Sequence, residues 1–87
     1  MYRIILHRVA ERSLERLDRE TKARMHRAFD ALRVSPYAAG DVKRLRGRFA
    51  GLLRMRVGGW RIVFEVEDLG AVVYILDIRS RGDVYGS

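Results

Sequence analysis

The last third of the chain constrains its fold most, because it holds strand-like segments separated by short turn signals. Residues 52–57 and 60–67 alternate apolar and polar side chains, and only Gly58-Gly59 separates them. A glycine pair between two such segments is typical of a β-hairpin, since glycine adopts the positive φ angles of tight hairpin turns. A third strand-like segment, residues 71–78, follows the turn signal at residues 68–70. These patterns predict three consecutive antiparallel strands.

A two-residue turn at Gly58-Gly59 determines which side chains share a face of the sheet. In that register Val57 lies opposite Trp60, and Arg56 lies opposite Arg61. Directly opposed residues point to the same face. One face is then apolar and carries Leu53, Met55, Val57, Trp60, Ile62, Phe64 and Val66. The other face, which we call the arginine face, carries Arg54, Arg56, Arg61, Val63 and Glu65.

The third strand extends both faces if its turn has three residues. That turn places Glu67 opposite Ala71 and Val63 opposite Ile75. The apolar face then gains Val72, Tyr74, Leu76 and Ile78. The arginine face gains Val73, Ile75 and Asp77, and beyond the strand Arg79 and Arg81 have the same parity. An open apolar patch of Val63, Val73 and Ile75 on the arginine face favours a protein partner that covers it.

The N-terminal half predicts one strand and two helices. Residues 2–6 have the β-branched, apolar character of a strand. A first helix is indicated by the spacing of Val9, Leu14 and Leu17. A second helix begins at Asp18, a typical N-cap residue, and ends at Ser35-Pro36, since proline disfavours the α conformation in the residue before it. The apolar stripe of this second helix is Met25, Phe29 and Leu32, with Ala28 and Ala31 beside it.

Together these elements predict a single α+β domain over residues 1–87, in the order β-α-α-β-β-β. The sheet is mainly antiparallel, and a two-helix hairpin packs on its apolar face. Residues 37–51 are predicted to be a connector in loop or turn conformation, because Gly40, Gly47 and Gly51 interrupt them.

The composition favours an anionic partner and argues against several kinds of site. The chain has 18 Lys and Arg against 11 Asp and Glu, a net charge of +7. Such a charge suits nucleic acid, an acidic protein or a membrane surface, and it also serves solubility. Cysteine is absent, and His7 and His26 are not spaced as metal ligands. We therefore expect no metal or other cofactor, and, without a long apolar run or a leader segment, a cytoplasmic protein with no membrane partner.

The predicted pairing of Arg56 with Arg61 points to the same kind of partner. Like charges directly across a strand pair are unfavourable by up to ~1 kcal/mol. Glu65 and Asp77, on the same face, are candidates to compensate this repulsion. The alternative is an anion that sits between the two arginines, since guanidinium groups bind phosphate bidentately and keep their charge at any relevant pH.

Three motifs resemble a known family. Residues 53–64, LRMRVGGWRIVF, resemble the "yRlRvGdyRiiy" core of the RelE/ParE toxins of type II toxin–antitoxin systems. Upstream, residues 43–47 (KRLRG) resemble that family's "kkLkG" element, and residues 79–85 (RSRGDVY) resemble its "hR.dvY" terminus. The resemblance covers essentially the whole chain. It implies a RelE-like, microbial ribonuclease type of fold and a cognate antitoxin protein as partner.

The resemblance also implies an activity. RelE-type toxins enter the A site of the 70S ribosome, contact ribosomal RNA and cut messenger RNA by attack of a ribose 2′-OH, without metal. ParE-type toxins share the fold and poison DNA gyrase. We therefore predict a ribosome-dependent endoribonuclease that inhibits translation. A gyrase inhibitor and a non-catalytic RNA-binding domain of the same fold are the alternatives.

Individual roles carry over by motif position. Arg61 matches the arginine that stabilises the transition-state phosphate, and Arg81 matches the arginine of the terminal motif implicated in leaving-group protonation or charge stabilisation. Tyr85 matches the tyrosine that orients or deprotonates the 2′-OH. Arg54 matches a basic strand residue with a base or electrostatic role. The predicted RNA and ribosome contacts are Arg56, Lys43, Arg44 and Arg46.

The chain departs from the family pattern two positions before Arg54. Some active RelE members carry a second basic residue there, whereas this chain has Leu52. The two histidines do not replace it, because both lie outside the matched motifs. The identity of the general base therefore stays open at the level of sequence.

Overall fold

The structure, a computed structural model, describes residues 1–80 as a five-stranded sheet with two α-helices. In chain order the elements are β1 (Arg3–Leu6), α1 (Arg8–Glu15), α2 (Arg19–Val34), β2 (Asp41–Arg44), β3 (Leu53–Val57), β4 (Trp60–Glu67) and β5 (Val72–Ser80). The strand order is β1-β5-β4-β3-β2. β1 runs parallel to β5, and the other pairs are antiparallel. The predicted α+β class, with a mainly antiparallel sheet, is confirmed.

Side-chain caps explain where both helices begin. The His7 Nδ1 accepts a hydrogen bond from the Val9 N–H at 3.2 Å, at the start of α1. The Asp18 carboxylate accepts one from the Thr21 N–H at 2.8 Å, which confirms the predicted N-cap of α2. Such bonds satisfy backbone donors that have no partner within the helix. α2 ends at Val34, with Ser35 as its C-cap and Pro36 next, as predicted.

The helices bury one face of the sheet, which we call the helix face. The predicted stripe of α2 is confirmed, since Met25, Phe29 and Leu32 are all buried there. The predicted stripe of α1 is correct only for Leu14: Ala10 is fully buried, whereas Val9 is 47% exposed. Ala10 shares a helical stripe with Leu14, four positions on. Leu17 was predicted as part of this helix, but α1 ends at Glu15, and Leu17 packs against the core from the bend that follows.

The β3–β4 hairpin has the predicted register. Val57 pairs with Trp60, and Arg56 pairs with Arg61. Gly58 has a φ angle of +59°, the left-handed conformation for which glycine is suited. Leu53, Met55, Ile62 and Phe64 are accordingly buried against the helices.

The β4–β5 hairpin differs from the prediction by one residue. Its loop spans residues 68–71, with Ala71 at a φ of +53°, so Glu67 pairs with Val72 instead of Ala71. A one-residue shift moves each side chain to the other face. Val73 and Ile75 therefore lie in the core on the helix face, and not on the arginine face as predicted. Val72 and Tyr74 lie on the arginine face, opposite Glu67 and Glu65.

A β-bulge then restores the predicted facing further along β5. Phe64 pairs with Ile75, but its neighbour Val63 pairs with Asp77, so Leu76 is the extra residue. Leu76 lines a concavity with Val63 and is not a core residue of the helix face. Because the extra residue cancels the earlier shift, Ile78 is in the core and Asp77 lies on the arginine face, as predicted.

The open apolar patch predicted on the arginine face does not form. Val73 and Ile75 have no exposed surface on either face. Val63 does lie on the arginine face, but it is 1% exposed and forms a small second core with Leu45, Phe49 and Leu52. The patch therefore gives no support for a protein partner.

The segment predicted to be a connector contains regular structure. β2 pairs antiparallel with β3 and forms an edge of the sheet, and a short 3-10 helix, Gly47–Phe49, follows it. The prediction of loop or turn conformation over residues 37–51 is thus wrong for these residues. A strand of only four residues between glycines lacks the length at which alternation becomes recognisable.

A carboxylate ties the ends of three elements together. The Tyr2 and Tyr37 hydroxyls donate hydrogen bonds to the two oxygens of Asp68, at 2.8 and 2.7 Å. These bonds, with Tyr37 contributing most, hold the pKa of Asp68 below its ordinary value. The β4–β5 loop is thereby fastened to the start of β1 and to the chain that follows α2.

The observed register of β5 predicts that Ile75 contributes strongly to the free energy of unfolding. Ile75→Ala should lower the free energy of unfolding by about 2–5 kcal/mol, because it leaves a cavity in the core. Ile5→Ala, at a 39% exposed position on β1, is the matched control and should cost clearly less. Urea denaturation of both variants measures the difference. Equal losses would contradict the assignment of Ile75 to the helix face.

Candidate nucleic-acid interface

Three arginines lie side by side on the arginine face, and we call them the arginine row. Arg56 on β3 pairs with Arg61 on β4, and Arg61 pairs with Arg79 on β5. Adjacent strands are about 4.8 Å apart, so the three backbone positions span roughly 10 Å across the strands. Like charges in directly opposed positions are unfavourable without carboxylates or a bound anion nearby. The row therefore requires negative charge close by, from carboxylates at its ends, from a bound anion or from both.

A concave surface of about 360 Å³ adjoins the arginine row, and we call it the basic concavity. The residues of the described part of the chain that line it are all cationic: Lys43, Arg44, Arg46, Arg54, Arg56 and Arg61. A second concavity of about 260 Å³ is lined by Arg56, Gly58, Gly59, Trp60 and Arg61. Arg56 and Arg61 thus belong to both surfaces.

The basic concavity unites six residues that the sequence predicts to be functional. Strand alternation brings Arg54 and Arg56 to one face, and the pairing of β2 with β3 places Lys43 beside Arg54. The other two predicted residues, Arg81 and Tyr85, lie outside the described residues. Two strand pairings group the six residues. The sequence predicts the pairing of β3 with β4 but not that of β2 with β3.

Arg54 differs from the other cations because it is buried. It is 5% exposed, and its Nη1 donates to the backbone oxygen of Asp41 at 2.9 Å and to Asp41 Oδ1 at 3.2 Å. A buried charge needs such partners, since desolvation is costly. Arg54 is therefore a fixed charge in the wall of the basic concavity.

Asp41 is a residue of this site that sequence reasoning missed. It lies on β2, directly opposite Arg56. The hydrogen bond from Arg54, followed by the charges of Arg54, Arg56 and Lys43, holds the pKa of Asp41 below its ordinary value. The signal in the sequence is the alternation of Asp41 and Lys43, which is too short to reveal the strand that carries them.

Arg44 contributes to the wall, but its guanidinium is engaged elsewhere. Arg44 pairs with Leu53, a residue of the helix face, so the two side chains leave the sheet on the same side. Its guanidinium carbon lies 5.8 Å from the centre of the Tyr37 ring, within the range of a cation–π contact. Of the cations that line the basic concavity, Arg44 is thus the one with a described contact to an aromatic ring.

Arg79 is a cation of the arginine face that the sequence did not predict to be catalytic or to contact RNA. Its Nε donates to Asp77 Oδ2 at 2.8 Å, and the Asp77 side chain is only 14% exposed. Asp77 was a candidate to compensate the pairing of Arg56 with Arg61. It holds the third member of the arginine row, which lies at the other end from Asp41.

The chemistry of the site is that of fixed positive charge. Arginine stays protonated at any relevant pH, so it stabilises anions and does not act as a general base. A preorganised guanidinium stabilises charge that develops on phosphate oxygens during a reaction. Residues 1–80 contain no group of three or more His, Cys, Asp or Glu residues that could hold a metal ion. Neither α-helix of this part of the chain has the length and apolar character to span a membrane.

Known proteins share this architecture. A family model described as the ParE toxin of type II toxin–antitoxin systems matches residues 4–85. A chain of the RelBE2 toxin–antitoxin complex from Mycobacterium tuberculosis is 28% identical, with a TM-score of 0.83 over 92% of this chain and 98% of that one.

Two further solved structures extend the likeness. In the RelE–RelB complex from the archaeon Pyrococcus horikoshii, the similar chain is 28% identical, with a TM-score of 0.80 over 95% of this chain and 98% of that one. The YoeB/ParE toxin from Agrobacterium tumefaciens is 18% identical, with a TM-score of 0.80 over 90% and 96% of the two chains, and shows the shared fold alone. The search of curated proteins found no match.

The arginine face should bind phosphate groups more strongly than the helices do. We expect tripolyphosphate at low salt to raise the Tm, because a ligand that binds only the folded state stabilises it. Arg56→Gln combined with Arg61→Gln should remove most of this shift. The matched control is Arg12→Gln combined with Arg27→Gln, which removes the same charge from exposed helix positions. Equal losses in the two double variants would contradict a specific anion site.

Proposed function

We propose a function from one premise: the chain belongs to the ParE toxin family of type II toxin–antitoxin systems, within the RelE/ParE superfamily. On that premise the protein is a ribosome-dependent endoribonuclease, which cuts messenger RNA in the ribosomal A site and so inhibits translation. The observation that carries this proposal is the basic concavity, because the lining residues among positions 1–80 are all cationic and include Arg61 of the arginine row.

The arrangement suits RNA better than it suits a small anion. Arg56 and Arg61 are shared by two adjoining concave surfaces, and Lys43 on β2 and Arg46 just after that strand extend the charge. Several cations along a groove bind successive phosphates and release the counterions of the nucleic acid. We therefore assign Arg56, Lys43 and Arg46 to contacts with messenger or ribosomal RNA. Arg44 is assigned to the same contacts on condition that its guanidinium leaves the Tyr37 ring.

The proposed reaction is an internal transesterification. The ribose 2′-oxygen forms a bond to phosphorus while the bond from phosphorus to the 5′-oxygen breaks, which leaves a 2′,3′-cyclic phosphate and a 5′-hydroxyl. A proton must leave the 2′-OH, and one must reach the 5′-oxygen. Between these events the phosphorane carries extra negative charge, and we assign its stabilisation to Arg61.

Arg54 acts in this proposal as a preorganised charge. Its guanidinium is buried and hydrogen-bonded to Asp41, so it need not reorganise when charge develops nearby. We assign the 2′-OH to Tyr85, which orients or deprotonates it, and the leaving oxygen to Arg81, which protonates it or stabilises its charge. These two assignments rest on the terminal motif of residues 79–85 alone, since both residues lie outside the described part of the chain.

The expected protein partner is a cognate antitoxin. The similar chains of M. tuberculosis and P. horikoshii were each solved as toxin–antitoxin complexes. We propose that an antitoxin likewise binds this chain and holds it inactive. We also propose the cytoplasm as its location, because ribosomes and messenger RNA are there.

Inhibition of DNA gyrase is the second candidate function. It is favoured by the family model that matches residues 4–85, which is described as the ParE toxin. A gyrase poison does not require a phosphate-cleaving set of residues. The cations of the basic concavity would then contact protein or DNA without cleavage.

Inducible expression combined with mapping of messenger RNA 5′ ends distinguishes the two candidates. We expect new ends within translated codons, and the same cuts on purified 70S ribosomes with no cutting of free RNA. Arg61→Gln should slow cleavage by about 100-fold or more, as expected for loss of a group that stabilises the transition state. Arg81→Ala and Tyr85→Phe should also slow it while sparing the fold.

The matched control is Arg27→Gln, which removes an equal charge from an exposed position on α2 and should cut at the wild-type rate. Intact transcripts together with gyrase-dependent DNA breaks would overturn the proposal in favour of gyrase. Full cleavage by Arg61→Gln would overturn the assigned site.

A further inference from the structure

One acidic residue, Asp41, stands at the edge of the basic concavity. It lies on the edge strand β2 and faces Arg56 in the register of β2 and β3. Its Oδ1 and its backbone oxygen both accept from one nitrogen, Nη1 of Arg54. The side chain of Asp41 is 48% exposed, whereas that of Arg54 is 6% exposed. An accessible carboxylate thus holds a buried cation.

This contact determines where the charge of Arg54 lies. Arg54 pairs with Lys43 on one side and with the buried Val63 on the other, so its stem leaves the sheet between a cation and an apolar residue. Lys43 and Arg56 repel its guanidinium, and the small core around Val63 cannot solvate it. The two acceptors of Asp41 are therefore what favours the observed position.

The same carboxylate opposes the binding of RNA. RNA affinity depends on the positive potential that meets its phosphates. The negative charge of Asp41, beside Arg54 and Arg56, lowers that potential at the edge of the basic concavity. A residue that served affinity alone would be neutral or basic here.

We propose that Asp41 is a positioning residue of the RNA site, whose acceptor oxygens keep Arg54 in place for cleavage while its charge weakens RNA binding. The inference rests on the proposed nuclease function and adds to it a residue with separable effects on rate and affinity. Tight binding of the product would slow turnover, and a carboxylate at the edge of the site limits it.

Two substitutions separate the two effects. Asp41→Asn removes the charge but keeps a side-chain acceptor oxygen for Arg54, whereas Asp41→Ala removes both the charge and that oxygen and leaves Arg54 only the backbone oxygen. Asp30→Asn is the matched control, because it removes an exposed carboxylate from α2, which packs on the helix face. On an uncleavable 2′-O-methyl RNA, both variants at Asp41 should bind about threefold more tightly at low salt, and Asp30→Asn should change affinity less.

The rate of cleavage should depend on the side-chain acceptor oxygen at position 41 and not on its negative charge. On messenger RNA bound to 70S ribosomes at saturating toxin, Asp41→Ala should cut about tenfold more slowly or worse, since small misplacements of a charge in an active site cost that much. Asp41→Asn should cut close to the wild-type rate. An NMR spectrum of the arginine side chains gives a readout without RNA: the Arg54 guanidinium signal should exchange slowly in Asp41→Asn and clearly faster in Asp41→Ala, which keeps only the backbone acceptor.

Three outcomes would overturn this role for Asp41. They are wild-type cleavage by Asp41→Ala, an unchanged Arg54 signal in that variant, and an Asp41→Asn variant as slow as Asp41→Ala. Failure of the nuclease proposal is distinguishable, because the wild-type protein would then leave messenger RNA intact on ribosomes. The NMR signal and the affinity for 2′-O-methyl RNA would still decide whether Asp41 holds Arg54 and opposes binding.

Discussion

The burial of one face of the sheet against the two helices is the interaction on which the rest of the structure depends. Ile62, Phe64 and Ile75 have no exposed surface, and their packing against α1 and α2 determines which face of each strand points outward. Because side chains alternate along a strand, this packing forces Arg56 and Arg61 together on the opposite face. The cationic site is therefore a consequence of the apolar core.

The concentration of positive charge is stabilised locally at its two ends. Asp41 holds Arg54 beside one end of the arginine row, and Asp77 holds Arg79 at the other. Arg61 lies between them, at the centre of the row. Such an arrangement keeps guanidinium groups in fixed positions before a phosphate arrives, which is the condition for electrostatic stabilisation of a transition state.

The sequence predicts the β3–β4 hairpin fully, since a glycine pair leaves one register that buries Ile62 and exposes Arg56. It predicts β5 only in part, because the loop that precedes it contains Ala71 in a conformation unusual for alanine, and a bulge at Leu76 then cancels the shift. Neither the left-handed conformation of Ala71 nor the bulge at Leu76 is indicated by the residue types in this segment. The sequence does not predict the role of Asp41 for a similar reason: its strand is short, and only the pairing with β3 places Asp41 beside Arg54 and Arg56. The functional interpretation of Arg61 came from family motifs, which describe chemistry that periodicity does not contain.

The central claim is that the arginine face receives the scissile phosphate of messenger RNA on the ribosome. The most direct test is an electron cryomicroscopy structure of the protein bound to a 70S ribosome, with a 2′-O-methyl messenger RNA in the A site. We predict that the protein occupies the A site with the guanidinium of Arg61 hydrogen-bonded to a phosphate of the A-site codon. An RNA path over α1 and α2, or an A site that the protein leaves empty, would contradict the claim.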